Sequence, residues 1–532
     1  MLSRPNIIRS AVWLLCSLVA CLGSVRAQDS DYQTAVSLVQ QRQFDRAFPL
    51  LQQVLDRSPN DLKARNLMGI ALSGAGRREE ANGQFKKVLA LDPRFVPALK
   101  NLAVNELALG RAEDARFHFE AALKVTPQDA ACHWGLAEIA FADRDFKSAA
   151  AHYERSGDLA WKDPRMAIKF ATSCVEAEQP AKAATLLEKI PPALSGADAK
   201  TQFQAGILLA RLEKYEAAAR RFELARQGSP DPDQAYQIGY NLTLALIKSG
   251  DHAAAIRAGS EVLAAGHRKA EIYNLLAQAY EQGGQTKQAY DALRMAAEIE
   301  PQDETNYLDL VALCLKHENY DLSLEISEIG ARRIPGSHRL RLHRGVAFVM
   351  KGQLEEAVKE FQTAGQLLTA PEEALPQVAL GLALIQMDRQ PEAIALLRRQ
   401  SERSPKDPRV FWLLGEALSR SGVQSGSEEE KEAVSALEKS IQLDPRLPQS
   451  RALLGKMLLR RGEVARAAQE LEKALELDPE DMTATYQLAQ ALQRMGRTAR
   501  AKQLFTKVSQ AKSEKLQPTQ RNLMRIIKAG SQ

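Results

Sequence analysis

The sequence predicts an all-α chain built as a stack of helical hairpins, on three observations. Pro59, Pro93 and Pro127 stand 34 residues apart, and each closes a similar block. Within a block, small and large apolar residues recur at helical spacing. No stretch alternates with period two for long enough to suggest a sheet. A repeat of this length places function on an extended surface rather than in a catalytic pocket.

The block that starts at Leu62, LKARNLMGIALSGAGRREEANGQFKKVLALDP, shows how one unit is specified. Gly69, Leu72, Ala81, Phe85 and Val88 put small residues where two helices touch and large ones where the pair buries against its neighbour. Gly76 breaks the first helix, and the Asp92-Pro93 step ends the second because proline cannot continue it. One such pair cannot bury its own apolar face, so the pairs must stack.

This pattern resembles the tetratricopeptide repeat, with a small residue eighth, a large one near the eleventh place, Ala twentieth, an aromatic or Leu twenty-fourth and Pro thirty-second. It recurs as Leu102, Ala103, Gly110, Ala115, Phe119, Ala122 and Pro127, and again as Gly206, Leu209, Tyr215, Ala218, Phe222, Ala225 and Pro230. Later copies carry Gly345, Phe348, Gly352, Ala357 and Phe361, then Gly455, Leu458, Gly462, Ala467 and Pro479. The resemblance implies a right-handed superhelical solenoid of about fourteen tandem helix-turn-helix units over residues 28–515. The array is expected to be irregular near 156–198, where Pro191, Pro192 and Gly196 read as a loop. A second irregularity is expected near 422–432, where a longer turn leads into a helix capped by Ser427. Residues 516–532 read as a basic tail or capping helix.

Residues 1–27 stand apart. Arg4 and Arg9 precede the apolar run AVWLLCSLVACLGSV, and Val25-Arg26-Ala27 has the form of a signal-peptide cleavage site. The run Leu18-Val19-Ala20-Cys21 offers a competing cut, in which Cys21 is lipidated and becomes the mature N-terminus. Either cut implies export, to the periplasm or medium after Ala27, or to the outer membrane as a lipoprotein at Cys21. The full chain has 71 basic and 66 acidic residues; loss of Arg4, Arg9 and Arg26 leaves 68 against 66, a near-neutral mature protein. Nothing in that balance suggests a nucleic-acid partner. Cys132, Cys174 and Cys314, an odd and scattered set, read as small core residues rather than a disulfide framework.

The eight histidines are dispersed, and no H-E-x-x-H, C-x-x-C, G-x-S-x-G or phosphate-cradling glycine loop occurs. No catalytic residue, metal site or cofactor is expected. The tetratricopeptide resemblance implies instead that the second, fifth, ninth and twelfth places of each first helix line an inner face that contacts a bound peptide. In the first half those places hold Val104, Leu107, Trp134, Phe141, Phe203, Ile207, Tyr240 and Leu244, which are the candidate contacts for a protein or peptide partner. In the second half they hold Leu308, Leu342, Val346, Val378 and Leu382 before Trp412 and Glu416. Two readings stand side by side. Either these apolar residues form an exposed grip for a partner segment, or tight winding buries them within the stack. On the first, replacing Trp134 and Phe203 by alanine weakens capture without loss of folding. Lys100, Asn101 and Asn105 form only a fragment of the set that clamps a peptide carboxylate in some members of the family. The function expected is a non-catalytic exported scaffold for protein partners. The alternative is a lipid-anchored part of a secretion or polysaccharide-export assembly, with the lipid on Cys21 as the only membrane contact.

Overall fold

A computed structural model describes residues 30–161, 163–191, 199–228, 231–370, 373–422 and 424–510. The leader with Cys21, and the tail at 516–532, lie outside the described residues. Among those described are 28 α-helices, one short 3-10 turn and no strand, so the expected all-α array of fourteen hairpins is what the chain forms. It divides into two compact units, Met1–His267 and Arg268–Gln532, with seven hairpins in each.

The first unit holds α1 (Ser30–Gln40), α2 (Phe44–Arg57), α3 (Leu62–Gly74), α4 (Arg78–Leu91), α5 (Val96–Ala108), α6 (Ala112–Val125) and α7 (Ala130–Ala142). It continues with α8 (Phe146–Arg155), the 3-10 turn η1 (Gly157–Trp161), α9 (Pro164–Glu176), α10 (Pro180–Lys189), α11 (Ala199–Arg211), α12 (Tyr215–Gln227), α13 (Pro232–Ser249) and α14 (His252–Ala264). The second unit runs α15 (Ala270–Gln282), α16 (Thr286–Ile299), α17 (Glu304–Lys316), α18 (Tyr320–Arg333), α19 (His338–Met350), α20 (Leu354–Leu367) and α21 (Leu375–Gln386). After these come α22 (Gln390–Arg403), α23 (Pro408–Arg420), α24 (Glu428–Leu443), α25 (Pro448–Arg460), α26 (Val464–Leu477), α27 (Met482–Arg494) and α28 (Thr498–Gln510).

Each boundary has a local cause. Asp61, Asp129 and Asp481 cap first helices by accepting backbone N–H groups one or two residues into the helix. The turn inside a hairpin needs a left-handed residue, and Gly76 (φ +83°) supplies it without strain. Not every turn uses glycine: Arg42, Arg144, Glu178, Glu213, Glu318 and Asp388 also take positive φ. Glycine is therefore an incomplete marker of these turns.

Within a hairpin the eighth place packs on the twenty-fourth. A Cβ built on Gly69 would lie 2.4 Å from the Phe85 ring, and Gly206 and Gly345 stand in the same relation to Phe222 and Phe361. Those rings are buried, so they cannot move aside. Between hairpins, successive first helices touch one another, while a second helix packs chiefly on the first helices to either side. First helices therefore form the tighter row in each unit.

The described parts of both irregular stretches have a physical account; Pro192 and Gly196 of the expected loop lie outside the described residues. The turn η1 contacts α7, α8 and α9, and wedges the hairpin that follows. Helix α10 stops early, and the buried Arg221 of α12 donates to the Leu187 and Glu188 carbonyls at its end and to Gln202. A guanidinium at a helix C-terminus meets both the free carbonyls and the negative end of the dipole. At the second irregularity Ser427 accepts from the Glu430 amide, while the Glu430 carboxylate accepts from Gly426 N–H at 2.8 Å. This is the reciprocal capping that the sequence signalled there.

The close approach at the eighth place makes a pair of substitutions informative. Gly345→Ala must displace the buried Phe361 and is expected to destabilise by about 1–3 kcal/mol. Gly83→Ala meets nothing within 4 Å on the exposed side of α4 and should stabilise by about 0.5–1 kcal/mol. Thermal melting of the two variants should move in opposite directions; a fall for Gly83→Ala, or no change for Gly345→Ala, contradicts the packing described.

Candidate partner-binding surface

The row of first helices in the first unit carries the candidate residues, and the structure divides them. Val104 and Trp134 are buried, at 8% and 4% exposure. Leu107, Phe141, Phe203, Ile207, Tyr240 and Leu244 are half-buried. Trp134 thus belongs to the core, contrary to the expectation that its replacement leaves folding intact. Phe141, Val175, Phe203 and Ile207 rest on one core cluster while part of each side chain stays open.

These open side chains are held in place. Phe203 lies beside Phe222 with ring centres 5.7 Å apart, and Phe141 meets Phe146 edge-on at 5.8 Å. The Lys169 ammonium stands 5.6 Å above the Phe141 ring and pairs with Glu138 at 2.5 Å. Glu138 also accepts from the buried Tyr153 hydroxyl at 2.7 Å. Half-open apolar side chains thus stand on α5, α7, α11 and α13, with Val175 on α9 between them.

In the second unit the corresponding row is closed. Leu308, Leu342, Val346, Val378, Leu382 and Trp412 are all buried. They are covered within the stack, as the tight-winding alternative has it.

Polar residues at these places are spoken for in the first unit. Lys100 pairs with Asp129 at 2.7 Å in a mostly buried site. Asn101 donates to Asn66 at 3.2 Å, and Asn105 donates to Ser73 at 2.6 Å and Asn82 at 3.0 Å. The fragment of a carboxylate clamp is therefore a set of bonds between neighbouring hairpins.

Sequence reasoning passed over two histidine contacts. Glu106 occupies the eleventh place, where a large apolar residue is usual, and is buried; His118 Nδ1–H donates to it at 2.7 Å and to the Asp114 carbonyl at 2.9 Å. The bond to Glu106 raises the His118 pKa above its ordinary value. On the next hairpin, His133 Nε2–H donates to the Pro127 carbonyl, so its Nδ1 accepts from His152 Nδ1–H at 3.0 Å. Burial first, and then the electrostatic influence of the adjoining His133, lower the His152 pKa. An acid at an eleventh place with a histidine eight residues past the turn was the only available sign of the first contact.

Elsewhere, Cys132, Cys174 and Cys314 are free and buried, and burial pushes the Cys174 and Cys314 thiols up to about 11. Among the described residues no group of three or more His, Cys, Asp or Glu side chains could hold a metal ion, and no helix is long and apolar enough to cross a membrane. An open groove of about 770 Å³ lies between α12 and α14, floored by Leu242 and Leu246 and bridged by the Arg226–Glu261 ion pair.

Comparison with known proteins agrees with the repeat. Two family models, both described as tetratricopeptide repeat, match residues 38–103, 246–314 and 458–517, and residues 100–164 and 431–481, together more than half of the chain. The chain belongs to the tetratricopeptide repeat family. A 111-residue stretch of the repeats is 35% identical to the peroxisomal targeting signal receptor of Candida glabrata, covering 20% of this chain and 18% of that protein. Another, of 185 residues, is 24% identical to anaphase-promoting complex subunit 3 of Schizosaccharomyces pombe, covering 35% and 28%. The chain thus spans less than a third of the length of these curated relatives. Similar solved structures include the APC/C hetero-tetramer Cut9-Hcn1, at 14% identity over 86% of this chain and 95% of that one, TM-score 0.35. YrrB, a TPR protein with an unusual peptide-binding site, is similar at 19% identity over 37% and 96%, TM-score 0.29.

The histidine contacts give the repeats a pH signature with two opposed parts. His118 contributes stability that is fully present below about pH 6.5 and is lost as pH rises through its raised folded value. His152 does the reverse, contributing above about pH 6.5 and losing its contribution as pH falls toward its lowered folded value. In urea titrations, His118→Gln should flatten the alkaline side of the stability profile and His152→Gln the acid side. Identical profiles for the two variants would contradict the assignment.

Proposed function

We propose that the chain is a non-catalytic scaffold that captures a protein or peptide segment on the half-open apolar row of its first unit. The tetratricopeptide repeats form a scaffold of the kind that mediates protein–protein interaction. What carries the finer reading is the run Leu107, Phe141, Phe203, Ile207, Tyr240 and Leu244. These are large apolar side chains on four of the first helices, half-open to solvent, and Leu107, Phe141, Phe203 and Ile207 rest on core clusters. Half-buried aromatic anchors in fixed rotamers are the usual carriers of binding energy at protein interfaces. A shared stretch with a targeting signal receptor fits a reading in which a short segment is recognised.

The location is part of the same proposal: residues 1–27 support export, so the partners are sought outside the cytoplasm. Mass analysis of protein purified from its native host should find an N-terminus at Gln28, or a lipid on Cys21 that favours the anchored alternative. An intact leader beginning at Met1 would sink the export reading.

Capture itself is tested by crosslinking and pull-down of the full chain from an envelope extract. Phe203→Ala with Ile207→Ala should lose most of the captured partner while helical content is retained, since both side chains are only half-buried. Trp134→Ala, by contrast, is expected to lower stability by about 3–5 kcal/mol because it empties a core site. Retained capture by the Phe203 and Ile207 double variant would refute the proposed surface.

A further inference from the structure

Charge on the first helices of the last four hairpins is one-sided, although the second helix α28 is basic too, with Arg500, Lys502 and Lys507 and no acid. The first helices α21, α23, α25 and α27 carry Arg409, Arg420, Arg451, Lys456, Arg460 and Arg494 against a single acid, Glu416. The second helices α24 and α26 lean the other way, with Glu428, Glu429, Glu430, Glu432 and Glu438 on α24 and Glu470, Glu472 and Glu476 on α26. Two of the basic groups are satisfied locally, Arg409 by Asp407 at 2.6 Å and Arg451 by Glu470 at 2.7 Å.

Four are left on the first-helix row. Arg420 is half-exposed and shares Glu416 at 2.6 Å. Arg494 is exposed and, among the described residues, bonds to the Leu459 carbonyl at 3.0 Å. Arg460 is exposed, and Lys456 is half-buried with no ion pair among the described residues. Burial lowers the Lys456 pKa, and Arg460 and Arg420 lower it further, against Glu416. Lys456, Arg460 and Arg420 thus stand on neighbouring first helices with Glu416 as the one acid among them. Around it the row is polar, with Tyr486 46% exposed and Gln493 open to solvent. A ligand that brings carboxylates would complete the charge balance.

We propose that Arg420, Lys456, Arg460 and Arg494 form a docking surface for an acidic segment of a partner protein, bound extended across α23, α25 and α27. Spacing narrows the ligand. Packed helices lie about 8–10 Å apart, and an extended chain advances roughly 3.3–3.6 Å per residue. Carboxylates about three residues apart would therefore meet successive helices. This surface lies in the second unit and does not depend on the apolar row of the first.

The probe is a fluorescein-labelled peptide with Glu at every third position separated by Gly and Ser, titrated with the full chain and read by anisotropy. Saturable binding is expected, weakening steeply between about 50 and 300 mM salt. The triple variant Arg420→Gln, Lys456→Gln, Arg460→Gln should bind roughly tenfold or more weakly with an unchanged melting temperature. If the triple variant melts early, Arg460→Glu alone, on an exposed side chain, should still show the loss. Arg466→Gln on the second-helix side should bind as the parent does. The proposal fails if the parent chain shows no saturable binding, or if Arg466→Gln weakens it as much as the triple variant. It fails equally if a lysine-for-glutamate peptide, oligothymidylate or anionic phosphatidylserine vesicles bind as tightly.

Discussion

The fold rests on the contact between a small eighth residue and a large twenty-fourth residue inside each hairpin. Where Gly69, Gly206 or Gly345 removes a Cβ, Phe85, Phe222 or Phe361 lies flat against helix backbone. Gly415 with Leu437 and Gly455 with Leu471 repeat the arrangement with an aliphatic partner. Closing the hairpin this tightly uses one face of each helix and leaves the remaining apolar residues pointing along the array. Burial of those residues requires the next hairpin, so stability is supplied by nearest neighbours and not by a central core.

Apolar stacking alone would accept hairpins in several orders, because Ala, Leu and Gly fit one another broadly. The buried polar contacts of the first unit discriminate. Asn101 reaches Asn66, Asn105 reaches Ser73 and Asn82, Lys100 reaches Asp129, and Arg221 closes the end of α10. Each spans one hairpin boundary or the gap inside a pair. A shifted neighbour would leave a buried amide or cation without its partner, at a cost of about 1–3 kcal/mol for each neutral group and more for a charge. These residues therefore specify which hairpin follows which, and that role accounts for polar side chains at places where a partner surface was expected.

The hairpins were legible because proline, glycine and alanine act through backbone geometry, which is local. The period, the fourteen pairs and the capping of α24 by Ser427 all follow from such residues. Turns closed by Arg144 or Asp388 were less legible, since a left-handed non-glycine residue leaves no mark in the sequence. Exposure was legible least of all. Trp134 and Phe141 occupy equivalent kinds of place on one helix, yet one is buried and the other half-open, because exposure is set by what the neighbouring elements bring against each place. Likewise Phe203 in the first unit is half-open while Leu342 in the second is buried. Glu106 and His118 form a contact whose two halves look like ordinary surface residues until the hairpin closes.

The two units thus present different chemistry from the same scaffold, and the difference follows from how each fills its first-helix row. In the first unit, Asn66, Lys100, Asn101 and Asn105 take up the interior polarity on α3 and α5, while half-open aromatic and aliphatic side chains stand on α7, α11 and α13. In the second, Val378, Leu382 and Trp412 fill the interior, and the ninth and thirteenth places of α23 and α25 display Glu416, Arg420, Lys456 and Arg460, with Arg494 on α27. A helix row has only a few outward places per turn. Whatever packs inward therefore dictates what is displayed outward, and in a repeat array the inner packing of each hairpin is what varies the ligand chemistry along the chain.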